Sequence, residues 1–159
     1  MPRTRPMISR GGPLDGIVDD AIGEIDSLKE EMQDWMDSLS SNNMEHLPKY
    51  EEVSECYNAL ENATGNTPEM PTEFLPGMAL TYEWQEKAPY KGAQSRSTRC
   101  SNATNDIEQV ITYIDDSIQN LDDQQTEEHA DLIAEWEQYR NDLEEIVNEA
   151  QNASFPGMY

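Results

Sequence analysis

The sequence predicts an all-α protein: an antiparallel helical bundle of two helical hairpins, about four helices, with a Pro-rich ordered loop between them. Three observations predict it. Four segments repeat apolar residues at alternating spacings of three and four, which is the stripe of an amphipathic helix. Pro and Gly gather between the second and third of these segments, where they interrupt helix. The length of 159 residues fits one ordinary domain.

The first helix follows from Leu14, Val18, Ala21, Ile25, Leu28, Met32, Trp35 and Leu39. Their heptad register predicts near-parallel helix axes. Pro13 suits the entrance, and Ser40-Ser41-Asn42-Asn43 has a loop composition. The second helix spans about Pro48 to Ala63, on Tyr50, Val53, Tyr57 and Leu60, and Gly65, Asn66 and Pro68 end it. Residues 64–97 carry Pro68, Pro71, Pro76 and Pro89. Within them Met78 to Trp84 reads as a short strand or an irregular packing segment. The expectation is an ordered loop docked through Phe74, Leu75, Met78, Leu80, Tyr82 and Trp84, because long structureless loops are unusual in compact domains.

The third helix runs from near Thr98 to Leu121 on Cys100, Ala103, Ile107, Val110, Ile114, Ile118 and Leu121. Asp122 to Gln125 makes a turn, and Thr126 is the expected N-cap of the fourth helix. That helix carries Leu132, Trp136, Tyr139, Leu143, Ile146, Ala150 and Ala153, and Phe155-Pro156-Gly157 ends it. The whole is read as a single domain. It comprises a basic arm (1–13), a hairpin (14–63), a connector (64–97), a second hairpin (98–153) and a tail (154–159). The stripes require burial against one another, within one chain or across a homo-oligomer.

Charge is extreme and segregated. Ten Lys and Arg face 33 Asp and Glu, for a net charge of −23. Leu, Ile, Val and Phe make up only 26 residues, a share at the edge of what folds. Seven of the ten basic residues lie in two acid-free segments, 1–13 (Arg3, Arg5, Arg10) and 87–105 (Lys87, Lys91, Arg96, Arg99). The acids that decorate the first and fourth helices include Asp19, Asp20, Glu30, Asp34, Glu128, Asp131, Glu135 and Asp142. These eight are the expected partner-binding residues. The plainer reading makes them a solvated face, yet −23 exceeds what solubility needs and opposes compaction. A high-salt habitat is a further explanation of the acids. For the basic segments, packing back onto acidic helices outranks a phosphate site.

Several classes are excluded or disfavoured. No apolar run is long enough to span a bilayer, and the bulk surface would repel nucleic acid. The basic N-terminus lacks the apolar stretch of a secretory signal. The protein is therefore expected inside the cell, its two cysteines, Cys56 and Cys100, reduced. The sequence leaves open whether they pair. The sequons at Asn62, Asn102 and Asn152 are then incidental.

No phosphate loop, His-Glu-x-x-His, Cys-x-x-Cys, Gly-x-Ser-x-Gly or EF-hand loop occurs. Neither His46 nor His129 has a Glu three residues before it, which removes the di-iron signature. Glu51-Glu52-Val53-Ser54-Glu55 resembles the Mg²⁺-binding Glu-Glu-x-x-Glu of all-α nucleotide pyrophosphohydrolases, but that family's second motif is missing. No enzyme activity, cofactor or metal is expected.

Glu30 to Leu39, followed by Tyr50-Glu51-Glu52-Val53, resembles small acidic helical bacteriophage proteins of unassigned function. So does the ending Phe155-Pro156-Gly157-Met158-Tyr159. In charge and shape the chain is also similar to phage anti-restriction and anti-CRISPR DNA mimics. That resemblance implies a non-enzymatic protein in the host cytoplasm. Its partner would be the basic surface of a nuclease or other DNA-binding protein. The alternative is a structural or assembly protein of the virion, joined to its neighbours through helix contacts and the basic arm.

Overall fold

A computed structural model of the chain describes residues 5–89 and 94–157. The elements are β1 (Met7–Pro13), α1 (Leu14–Ser41), α2 (Pro48–Thr64), β2 (Thr81–Lys87), α3 (Arg96–Gln119), α4 (Asp123–Glu128) and α5 (Ala130–Gln151). The protein is mostly helical, but it is not all-α. β1 and β2 pair antiparallel, from Met7 opposite Lys87 to Pro13 opposite Thr81.

Each long helix forms where an apolar stripe was legible, and its ends follow local chemistry. α1 stops where Asn43 turns to φ +56° and the Met44 N–H donates to the Leu39 carbonyl, a left-handed C-terminal cap. Pro48 opens α2 at a position where a missing N–H costs nothing. Ser95 caps α3, its hydroxyl accepting from the Thr98 N–H at 3.1 Å, so the helix begins at Arg96 rather than Thr98. The expected cap at Thr126 is wrong. Asp122 and Gln125 form a capping box that starts the short α4. Thr126 lies inside it, donating its hydroxyl to the Asp122 carbonyl. Asp122 wins because its carboxylate reaches the Gln125 N–H at 2.7 Å while Gln125 answers to the Asp122 N–H.

The buried apolar side chains of α1, α2, α3 and α5 join Leu75 in one cluster. α1 packs on α2 and on α3, and α5 does the same. α3 runs antiparallel to α1: Arg99 near the start of α3 reaches Glu24 and Glu31, while Asp106 further along meets Arg10, just ahead of α1. Asp115 and Glu108 of α3 meet Arg140 and Gln151 of α5 in the same opposed sense.

The connector docks through Leu75, which is buried, and through half-buried Phe74 and Met78. The fully buried Trp136 packs against Phe74 and donates its indole N–H to the Glu73 carbonyl at 3.0 Å. Leu80 was expected to dock and instead stays exposed.

Two corrections concern the sheet. Residues 7–13, expected as part of a basic arm, form β1, and residues 81–87 of the expected loop form β2. In both strands exposed and half-buried residues alternate, the period-two pattern of a one-sided sheet. Tyr82 and Trp84 supply the inward apolar side. Gly11 permits the pairing: a Cβ there would stand 2.0 Å from the Tyr82 carbonyl oxygen, at φ +134°.

Candidate functional site

The acids expected to bind a partner fall out of phase with the buried stripes. Seven of the eight are exposed, and Asp142 is half-buried. None of the eight forms an ion pair among the described residues. Asp142 accepts from Gln138 and Glu128 from Gln124, both one helical turn away.

On α5, Asp131, Glu135 and Asp142 fall within an arc of about 40°, at steps of about 6 and 10.5 Å along the axis. On α1, Asp19, Glu30 and Asp34 share an arc of about 60°. Asp20 does not join them. It turns towards α3 and lines two clefts beside Arg10 and Asp106. Glu128 closes α4, separated from α5 by His129. The acids of α1 and those of α5 make one ridge on each helix, and Asp19 and Asp15 of α1 come near enough to the buried Tyr139 of α5 to help burial raise its hydroxyl.

The basic segments turn inward. Arg10 donates to Glu86 and to Asp106, each at 2.8 Å. Arg99 bridges Glu24 and Glu31, and Arg96 adds a bond to Glu31 at 3.0 Å. Arg96 also lies over the Trp35 ring at 5.4 Å, with Lys49 at 5.9 Å from the same ring. Arg5 donates to the Ala88 carbonyl. Lys87 is exposed at the end of β2, on the rim of the larger cleft. Arg3 and Lys91 lie outside the described residues. Arg10, Arg96 and Arg99 thus sit along the α1–α3 edge and the ribbon, paired with carboxylates.

Electrostatics follow this placement. Burial pushes the Glu31 carboxyl up, but the Arg99 and Arg96 guanidiniums together outweigh it and hold it below its ordinary range. Asp106 goes the other way: burial raises it, nearby Glu86 adds to that, and Arg10 only partly compensates. Its Oδ1 is buried without a hydrogen-bond partner. Cys56 and Cys100 are free and buried. Burial pushes the Cys56 thiol up to about 11 and raises Cys100 as well, so both behave as small core residues.

Sequence reasoning missed Glu24, Glu31, Glu86 and Asp106, the carboxylates that take up the basic segments. One signal was available: Asp106 is the first acid after the acid-free run 87–105. No three His, Cys, Asp or Glu side chains among the described residues converge as a metal site. No helix among them is long and apolar enough to cross a membrane. Comparison with protein-family models, curated proteins and solved structures finds no match.

Proposed function

We propose that this chain is a non-enzymatic protein that binds a basic protein surface through its acidic helices, as a DNA mimic. The expected partner is a nuclease or other DNA-binding protein, and the expected setting a host cell infected by a phage that encodes the chain. In this reading α1, α2, α3 and α5 form an antiparallel bundle with α1 and α5 on its diagonal. Each of those two helices then carries a carboxylate ridge, on the outer side of α1 and on the flank of α5 beside its buried stripe.

One observation carries the reading. Among the described residues no ion pair joins a cation to the carboxylates of either ridge, while Arg10, Arg96, Arg99 and Arg140 are all paired with other acids. Internal neutralisation thus leaves the ridges uncompensated. Their axial steps of about 6 and 10.5 Å on α5 approach two and three phosphate rises of about 3.4 Å along one DNA strand. Such a surface would steer a basic partner quickly and with strong salt dependence. The arm that an assembly role would send to a neighbour pairs within its own chain from Met7 onward.

The test neutralises the ridges separately. Asp131→Asn/Glu135→Gln/Asp142→Asn addresses α5, and Asp19→Asn/Glu30→Gln/Asp34→Asn addresses α1. Binding to a panel of basic DNA-handling proteins is then measured across a salt series. At low salt at least one triple variant should bind about tenfold more weakly, with a shallower salt dependence. Equal affinity and equal salt dependence in both variants would refute the ridges as the site.

A further inference from the structure

We propose that the β1–β2 ribbon is a latched strap: it opens as a unit while the helical core stays folded, and the Arg10–Asp106 ion pair is its latch. The ribbon is peripheral by burial. No residue of either strand is buried, whereas Leu14, the next residue after β1, is fully buried. β1 is also a weak strand in itself. Gly11 and Gly12 sit at φ +134° and +148°, and glycine loses the most backbone entropy on ordering.

Few ties hold the ribbon to the helices. The Leu14 N–H donates to the Leu80 carbonyl at 3.0 Å, a hinge where the core begins. Tyr82 packs on Tyr113 of α3 at 4.7 Å between ring centroids, and the Ala79 N–H donates to the Tyr113 hydroxyl. Trp84 also packs against the core, and the charged tie is the latch, in which Arg10 Nη2 donates to Asp106 Oδ2 at 2.8 Å while Nη1 holds Glu86 of the ribbon itself.

The latch is under opposing forces. Asp106 is kept only 14% exposed beneath the ribbon, with Oδ1 unpartnered. Opening would return that carboxylate to water, so its desolvation pushes the strap open while Arg10 holds it shut. Arg10 also stands between two polar clefts of about 810 and 400 Å³, both lined by Arg10, Asp20 and Asp106. Release would merge them into one trough between α1 and α3, with Asp20 and Asp106 on its walls. Low-stability segments that open locally behave in this way.

Amide hydrogen exchange on the full chain tests the proposal. Arg10→Gln removes the latch and leaves Asp106 buried without a cation. Ladder amides of residues 7–13 and 81–87 should then exchange at least about tenfold faster, while amides of Ile107 to Ile114 stay unchanged. Adding Asp106→Asn to that variant removes the uncompensated charge and should restore part of the lost protection, short of the parent because the latch is still absent. Unchanged ribbon exchange in Arg10→Gln would overturn the latch. Ribbon and α3 amides accelerating together would overturn the independent strap. A double variant with no recovery would overturn the part assigned to Asp106.

Discussion

Glu31 shows how one residue decides where this protein's charge is spent. It sits on α1 between Arg96 and Arg99 of α3, and both guanidiniums bond to it. They hold its carboxyl below the ordinary value of 4.5 despite burial. A lowered carboxyl contributes stability that is fully present above its ordinary range and is lost as pH falls through its folded value. Glu31→Gln should therefore be less stable than the parent near neutral pH. The gap should close as the pH falls through and below the ordinary carboxylate range, in denaturant titrations at successive pH values. Asp106 has the opposite sign: its folded carboxyl is raised, so it favours folding at acid pH and loses that contribution as it ionises. The two acids differ in what surrounds them, since Glu31 has two cations and Asp106 shares one with Glu86.

At the scale of elements, the ribbon depends on Gly11. An alanine there meets the Tyr82 carbonyl at 2.0 Å and must adopt a φ that L-residues rarely reach. Gly11→Ala should abolish the β1–β2 ladder while leaving the four long helices folded. That outcome would appear as lost exchange protection in residues 7–13 and 81–87, with little change in far-ultraviolet dichroism. The long helices were legible in the sequence because their stripes are local and helix-periodic. The stripes were read too narrowly, however. Ile17 and Ile22 of α1 and Ile133 and Val147 of α5 are buried outside the heptad seam, because each helix packs on two neighbours and buries a wider arc. The ribbon was not legible as a pair. Met7 pairs with Lys87 far along the chain, and Gly11-Gly12-Pro13 reads locally as a loop. The exposure of the acidic ridges was legible from phase alone. That the basic segments pack back onto acidic helices was legible from charge, but the particular carboxylates were not, since Arg10 and Asp106 lie 96 residues apart.

For the whole molecule, a net charge of −23 sets the terms. Its ion pairs, at the α1–α3 edge, at Lys29 and Lys49 and at Arg140 of α5, take up only a few of the carboxylates, so the exposed acids of α1, α4 and α5 repel one another across water. Self-repulsion of this kind destabilises the compact state and is screened by salt. The midpoint of thermal unfolding should therefore rise between about 0.05 and 0.5 M monovalent salt, with a Debye length shrinking from roughly 14 to 4 Å. A flat or falling midpoint would show that the internal ion pairs outweigh the repulsion. A basic partner would relieve the same repulsion locally, which links the stability of the free protein to its proposed binding role.

If the carboxylate ridges occupy a DNA-binding surface, competition will reveal it: binding of the purified chain to a panel of basic DNA-handling proteins is measured with and without competing duplex DNA across a salt series. Duplex DNA should displace the chain from its partner, and affinity should fall steeply as salt rises. Binding that DNA leaves untouched, or self-association with no binding to any such protein, would show that the ridges do not serve as a DNA mimic.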